Sequence, residues 1–503
     1  MLSSIDTSNA ALVHRYDEIS YDAQPHPATH PARLATVATL VGHFAPSLER
    51  CSVLEVGCND GANLTPMAVS MPAARFVGCD ISPSAIAAGR QTIGALGLTN
   101  ITLVEADLAA LDRSHGEFDF IIAHGVYSWV PAPVRDALFG LAADRLAPDG
   151  IVYVSFNVLP GCRTRQAAWD ALHHHVDPIQ SARARLDAAR ELARLIADGG
   201  TAGLESDQAL RAEFRAIAQH SDSELCHDDL AVPNEPVLFD TFARHAARHG
   251  LRYLAEAEVN TMGMAGISTQ AQAYLATLDP LAREQYLDFL RLRRFRQSLL
   301  VRDGAPSDTT TLAQRLRTMH VSQTWELAHA AATGTVHKLA RRLDPAAGGG
   351  GPVRKLLETI AANQPASYEV AALDGLVDFR SLSRPLDTVL TDAYGWGIVD
   401  LHVRPLALTI RPSERPVASP LARLQARTRN VVTTLLHMPV SLADADALRL
   451  LPFVDGTRDR AALASAARQV MLNIEPSHAV EFVGYALEKF ARLGLLMAEP
   501  PAA

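Results

Sequence analysis

The chain has 503 residues, more than one hydrophobic core organises, so about two to four domains are expected. Hydrophobic residues make up 48% and charged residues 20%, which excludes an extended disordered chain. The net charge of −9 excludes the broad basic footprint that nucleic-acid binding needs, and no nucleic-acid partner is expected.

Positive charge is carried almost wholly by arginine, with Lys338, Lys355 and Lys489 the only lysines. The five cysteines (Cys51, Cys58, Cys79, Cys162, Cys226) form no CxxC pair, which argues against a disulfide framework or a zinc site and fits a reducing, cytoplasmic setting. The first twenty residues have no basic start followed by an apolar run, so no signal peptide is expected. No apolar stretch is long enough to span a bilayer.

In chain order, residues 35–44 read as a helix and Ser52 to Val56 as a short buried strand running into a Gly-Cys-Asn-Asp-Gly turn. A helix over 62–69 follows, then a strand from Arg75 to Cys79 that ends on Asp80. Pro83 to Leu96 reads as a helix, with proline in the first turn, where a missing N–H costs nothing. Strands follow at 101–105, 118–123 and 151–156, with a helix over 132–146 between the last two. Strands alternating with helices predict an α/β, doubly wound, Rossmann-like parallel sheet, with ligands beyond the carboxyl ends of its strands. This unit is expected over 1–163.

From 164 to 343 the pattern is helical, strongest at 182–198, 208–220, 236–249 and 281–300. Pro345 to Pro352, with four consecutive glycines, reads as a linker. Gly397 to Ile410 reads as one or two strands, the three prolines of 411–420 as a second boundary, and 441–496 as helical. A small winged-helix-like α+β domain over 353–503 is expected.

The richest constellation is Val53 to Leu64, VLEVGCNDGANL. An apolar strand delivers Glu55 into a turn framed by Gly57 and Gly61, which let backbone approach a ligand closely. Asp80 closes the second strand, where an acidic side chain can grip a ribose diol. Asp107 and Leu108 follow the third strand, and His124 and Gly125 the fourth. Singly, such acids are helix caps; at successive strand ends of one sheet they mark a nucleoside site. The turn lacks the first two closely spaced glycines of G-x-G-x-x-G, which disfavours a dinucleotide and hydride transfer. No metal is expected: His173, His174 and His175 are consecutive on a helix and point different ways.

Glu55-x-Gly57-x-x-x-Gly61, Asp80, Asp107-Leu108 and the HGVYSWVP segment (His124 to Pro131) resemble the motifs of class I S-adenosylmethionine-dependent methyltransferases. Tyr16 to Gly42, Ser155 to Gly161 and His227 to Glu258 extend the resemblance to methyltransferases carrying a methyltransferase regulatory domain, a group that includes lysine methyltransferases of bacterial outer-membrane proteins. The regulatory segment is expected at about 217–300 of the helical region.

The resemblance implies S-adenosylmethionine as cofactor. Glu55, Gly57 and Gly61 would frame the methionine moiety, with Cys58 and Asn59 in the same turn, and Asp80 would hold the ribose with Ile81 beside it. Asp107 and Leu108 would flank the adenine, and His124, with Gly125, the methionine side. Tyr16, Tyr21, His30, Tyr127, Trp129 and Asn157 are rim candidates, with Tyr16 and Tyr21 as a lid. Tyr16, Tyr127, Trp129 and Asn157 are the candidates for acting on the acceptor. That acceptor is a protein lysine or a small molecule, and the alternative is an idle fold that senses the cofactor. A helical accessory region suits a macromolecular acceptor or a homodimer interface.

Overall fold

The computed structural model describes residues 19, 21, 23–111, 113–199, 205–264, 266–363, 366–378, 382–409, 411–470 and 475–498. At its centre is a seven-stranded sheet of β1 (Ser52–Val56), β2 (Arg75–Asp80), β3 (Ile101–Glu105), β4 (Phe118–Ala123), β5 (Leu146–Asn157), β6 (Leu251–Glu256) and β7 (Phe295–Arg302), in the order β3-β2-β1-β4-β5-β7-β6. The pairs among β1 to β5 are parallel. β7 runs antiparallel to both β5 and β6. The order reverses between β1 and β4, which opens a crevice at their carboxyl ends.

Both faces of the sheet are covered, so its inner strands are nearly continuous apolar runs. Val53, Phe120 and Ile122 enter one core with the helix Pro31–Leu40. Leu54, Val56, Ile121 and Ala123 enter the other, beneath the helices Ala132–Arg145 and Phe239–Arg248.

β6 and β7 correct the helical reading of the middle region. The helix expected over 281–300 stops at Arg291, Leu292 takes a left-handed φ of 48°, and Phe295–Arg302 is a strand. Leu, Arg and Gln are good helix formers, so RLRRFRQSLL reads as helix locally. Pairing with β5 overrides that preference.

The helices Arg163–Val176, Ala182–Asp198 and Glu205–Gln219 build a separate core. A further core, spanning Leu316 to Leu401, carries a small sheet of β8 (His320–Gln323), β9 (Tyr368–Glu369) and β10 (Val399–His402), in the order β10-β8-β9. The stretch read as a linker joins two helices of this core, Val336–Leu343 and Gly351–Ala362. The last core, Ala418 to Leu496, has helices and a hairpin of β11 (Val431–Thr433) and β12 (Pro439–Ser441), a winged-helix arrangement. Among the described residues, no helix is long and apolar enough to cross a membrane.

Candidate active site

A cavity of about 430 Å³ opens at the carboxyl ends of β1 to β4. Its first wall is the turn after β1. Gly57 and Cys58 donate to the carbonyl of Cys79 (2.8 and 3.1 Å), clamping the turn against β2. Gly57 sits at φ +69°, and a Cβ there would stand 2.9 Å from Cγ2 of Val126. Gly89, on the helix Pro83–Leu96, packs so closely that a Cβ would lie 2.3 Å from the Asp60 carbonyl. Gly61 (φ +72°) turns the chain into the next helix and does not line the cavity.

Asp80 accepts from the backbone N–H of Asn59 (2.8 Å) and of Ser82 (2.9 Å), so its carboxylate is held at the cavity edge by both flanking loops. Burial raises its pKa, and these bonds counter the rise. Asp107 caps a short turn by accepting from Ala109 N–H (2.9 Å), and Leu108 is buried beside it. Asn59, Asp80, Ile81, Asp107 and Leu108 all line the cavity.

Glu55 is 4% exposed; one carboxyl oxygen accepts from Asn63 Nδ2 (2.7 Å) and the other has no partner. Burial pushes its pKa to about 8, and Asp80 and Asp60 add to the rise. A proton retained only in the folded state stabilises fully below the unfolded pKa, and that contribution is lost as pH climbs toward 8. Glu55→Gln keeps the bond to Asn63 without the titration. The wild-type Tm should therefore fall more steeply than the variant's between about pH 5 and pH 8 by calorimetry. Parallel curves would refute the assignment.

Asn63 is a junction that the sequence reading missed. Its Oδ1 accepts from His26 N–H (2.8 Å) and lies 2.8 Å from Nε2 of His437, which sits in the β11–β12 turn. The C-terminal winged-helix unit thereby reaches the floor of the cavity. No local signal marks this contact, which spans 374 residues.

His124 stacks on His26 (3.7 Å) and meets the Tyr153 hydroxyl through Nδ1 (2.9 Å); burial pushes its pKa down to about 3, so it is neutral. Gly125 donates to Ser155 Oγ (2.8 Å). Cys58 is a buried thiol with its pKa pushed up by burial and surrounding carboxylates, so it packs rather than reacts.

Of the rim candidates, Tyr21, Trp129 and Asn157 line the cavity. Asn157 donates to Asn234 Oδ1 (2.9 Å), and Tyr21 lies edge-on to His227. Tyr16 lies outside the described residues. Two candidates stand elsewhere. Tyr127 is 2% exposed, packs among Phe139, Phe156 and Phe242, and meets His245 Nδ1 at 3.0 Å. Its ring points into the core because Val126, Tyr127 and Trp129 share a turn that cannot present every side chain to one side. His30 caps the helix Pro31–Leu40 by accepting from Ala32 N–H (3.1 Å).

The remaining wall includes Trp169, His227 and Asp228, from the helices after β5. A wide π turn, Leu225–Asp229, presents the last two. Their only local signal was the consecutive acidic pair Asp228-Asp229, set between Leu225-Cys226 and Leu230-Ala231-Val232.

Comparison with known proteins divides the chain along these lines. Residues 53–150 match a methyltransferase domain model, 221–302 a predicted methyltransferase regulatory domain and 414–474 the C-terminal winged helix domain of PKMT. An uncharacterised protein of Rickettsia prowazekii is 37% identical over 300 residues, 58% of this chain and 54% of that protein, so the match spans about half of that relative's length. A second uncharacterised protein of that organism is 30% identical over 253 residues, 48% of this chain and 100% of its own length. The chain belongs to the S-adenosylmethionine-dependent methyltransferases that carry a regulatory domain. Its fold matches PKMT2 from Rickettsia typhi with a TM-score of 0.79 at 25% identity, over 95% of this chain and 99% of that one. The complex of that protein with AdoHcy superposes at 0.78 with 24% identity. β6 and β7 both fall inside the regulatory match, so that segment completes the catalytic sheet.

Proposed function

We propose that this chain transfers a methyl group from S-adenosylmethionine to the side-chain nitrogen of a lysine in a protein acceptor. The cavity fits that donor by three features: a glycine-shaped turn, the Asp80 carboxylate, and a buried Glu55 oxygen that still lacks a partner. Asp80 would hold the ribose hydroxyls, Asp107 and Leu108 the adenine, and the Glu55–Asn59 turn with His124 the methionine portion. When bound, S-adenosylmethionine supplies an electrophilic methyl on a sulfonium, so the protein's task is to align and dehydrate the acceptor.

Asp228 carries the acceptor assignment. It lines the cavity together with Trp129 and Trp169. The arginines of that wall are balanced, Arg165 by Asp229 (2.9 Å) and Arg294 by Glu213 (2.5 Å). A carboxylate with aromatic faces suits an alkylammonium, which must then lose a proton to solvent before its lone pair attacks. Trp129 and Asn157 would contact that nitrogen along the same wall. The PKMT2 likeness supports the same acceptor class.

Incubation with radiolabelled donor and a protein acceptor should yield label in methyllysine, and prior acetylation of the acceptor's lysines should abolish it. Label confined to small molecules would overturn the reading. Burial and the neighbouring Asp229 push Asp228 up to about 6. Below that pH it is neutral and holds an ammonium poorly, so kcat/KM should rise with pH through about 6. Asp228→Asn should lack that limb and lose roughly tenfold or more in kcat/KM, as expected for a charged hydrogen bond. The same limb in the variant would assign it elsewhere.

The five cysteines are buried thiols and none is joined in a disulfide, which supports a reducing, cytoplasmic setting. In a homodimer, the helical region that leaves Leu195 65% exposed would supply the contact.

A further inference from the structure

We propose that Asp136, His245 and His249 form a binding site for a divalent transition-metal ion of the zinc class, clamping the regulatory segment to the catalytic domain. One ligand atom from each residue lies within 4.8 Å of the others. Nε2 of His249 is 3.0 Å, and Nε2 of His245 3.3 Å, from the same Asp136 oxygen. Two imidazoles and a carboxylate are the donor set of open three-ligand zinc sites, whereas magnesium and calcium prefer oxygen alone.

The backbone explains the convergence. His245 and His249 are four apart at the end of the helix Phe239–Arg248, so they share a face. The carbonyl end of that helix favours a cation. Asp136 comes from the first turns of Ala132–Arg145, packed alongside. In sequence the carboxylate stands 109 residues from His245, so only the fold brings the three together.

The ligands are also held in place from behind. Nδ1 of His245 lies 3.0 Å from the buried Tyr127 hydroxyl, which can accept Nδ1–H and leave the Nε2 lone pair facing Asp136. Such outer partners fix the tautomer and orientation of metal-binding histidines. Of the other charges nearby, Arg244 pairs with Asp240 and Arg135 with Glu235 (2.8 Å), while Arg248 stands close enough to act on His245. The exposure of the Asp136 side chain, 61%, leaves an entry path and room for water as the remaining ligand.

The site bridges two matched regions, since Asp136 lies within 53–150 and the histidines within 221–302. Tyr127 adjoins Val126, which lines the cavity with Trp129. Metal binding would therefore stiffen the turn that forms one cavity wall, independently of which acceptor is methylated.

The full chain, stripped with chelator, should bind one zinc ion in a calorimetric titration and give no saturable heat with magnesium. His249→Ala and Asp136→Asn should each weaken zinc binding at least about tenfold, and Tyr127→Phe by about 10–100-fold. Zinc should raise the Tm of the wild type and leave that of His249→Ala unchanged. All three substitutions should keep the circular dichroism of the metal-free wild type. No saturable zinc binding, or equal affinity in His249→Ala and Asp136→Asn, overturns the site. Unchanged affinity in Tyr127→Phe overturns the link to the cavity wall.

Discussion

Asp80→Ala should weaken binding of S-adenosylhomocysteine by about 1–3 kcal/mol, the usual loss for hydrogen bonds to a charged group. The proposed ribose contact is one part of this effect. The other is structural, because the Asp80 carboxylate accepts from Asn59 on one side and Ser82 on the other. Without it, the turn after β1 and the start of the helix Pro83–Leu96 lose their common anchor. Asp80→Asn keeps one acceptor oxygen and should fall between wild type and alanine. Calorimetric titration reads all three, with circular dichroism as the folding control. Wild-type affinity in the alanine variant would remove Asp80 from the cofactor site.

Arg296→Ala should have the largest effect on stability, about 3–5 kcal/mol, because it strands buried charges. Arg296 is 1% exposed and bonds to Glu256 (2.5 Å), Asp288 (2.9 Å) and Glu284 (3.1 Å), with Phe239 stacked beneath it. Arg293 reaches Asp288 as well (3.2 Å), but it cannot replace the bond to Glu256. The cluster joins β6, β7 and the helix Pro280–Arg291, so its loss should detach the strands that the regulatory segment adds to the sheet. Chemical denaturation measures the difference. A loss below about 1 kcal/mol would mean that water replaces the guanidinium, as at a surface pair.

Much of the catalytic half was legible because its code is local. Parallel strands buried on both faces read as short apolar runs, and β1 to β4 stand where those runs stand. The turn after β1 was legible because positive φ demands glycine at 57 and 61. The acids that end successive strands needed only alternation along the chain to be placed at one edge, and Glu55, Asp80 and Asp107 do meet there, with Asp80 and Asp107 lining the cavity beside Glu55.

What escaped depended on partners far along the chain. β7 resembles a helix until β5 supplies its hydrogen bonds, and its central Arg296 looks like a surface residue until three carboxylates surround it. Tyr127 read as a rim aromatic, yet the core of Phe139, Phe156 and Phe242 claims its ring. Asp228 gains its raised pKa from burial created by packing, and His437 reaches Asn63 only because the winged-helix unit docks on the cavity floor. Periodicity, turns and strand-end charges were thus determined by the sequence itself, because they depend on neighbours a few residues apart. Antiparallel completion of the sheet, the cavity wall of Trp169, His227 and Asp228 and the buried charge clusters were decided by tertiary structure alone, since burial and pairing across hundreds of residues leave no local periodic trace.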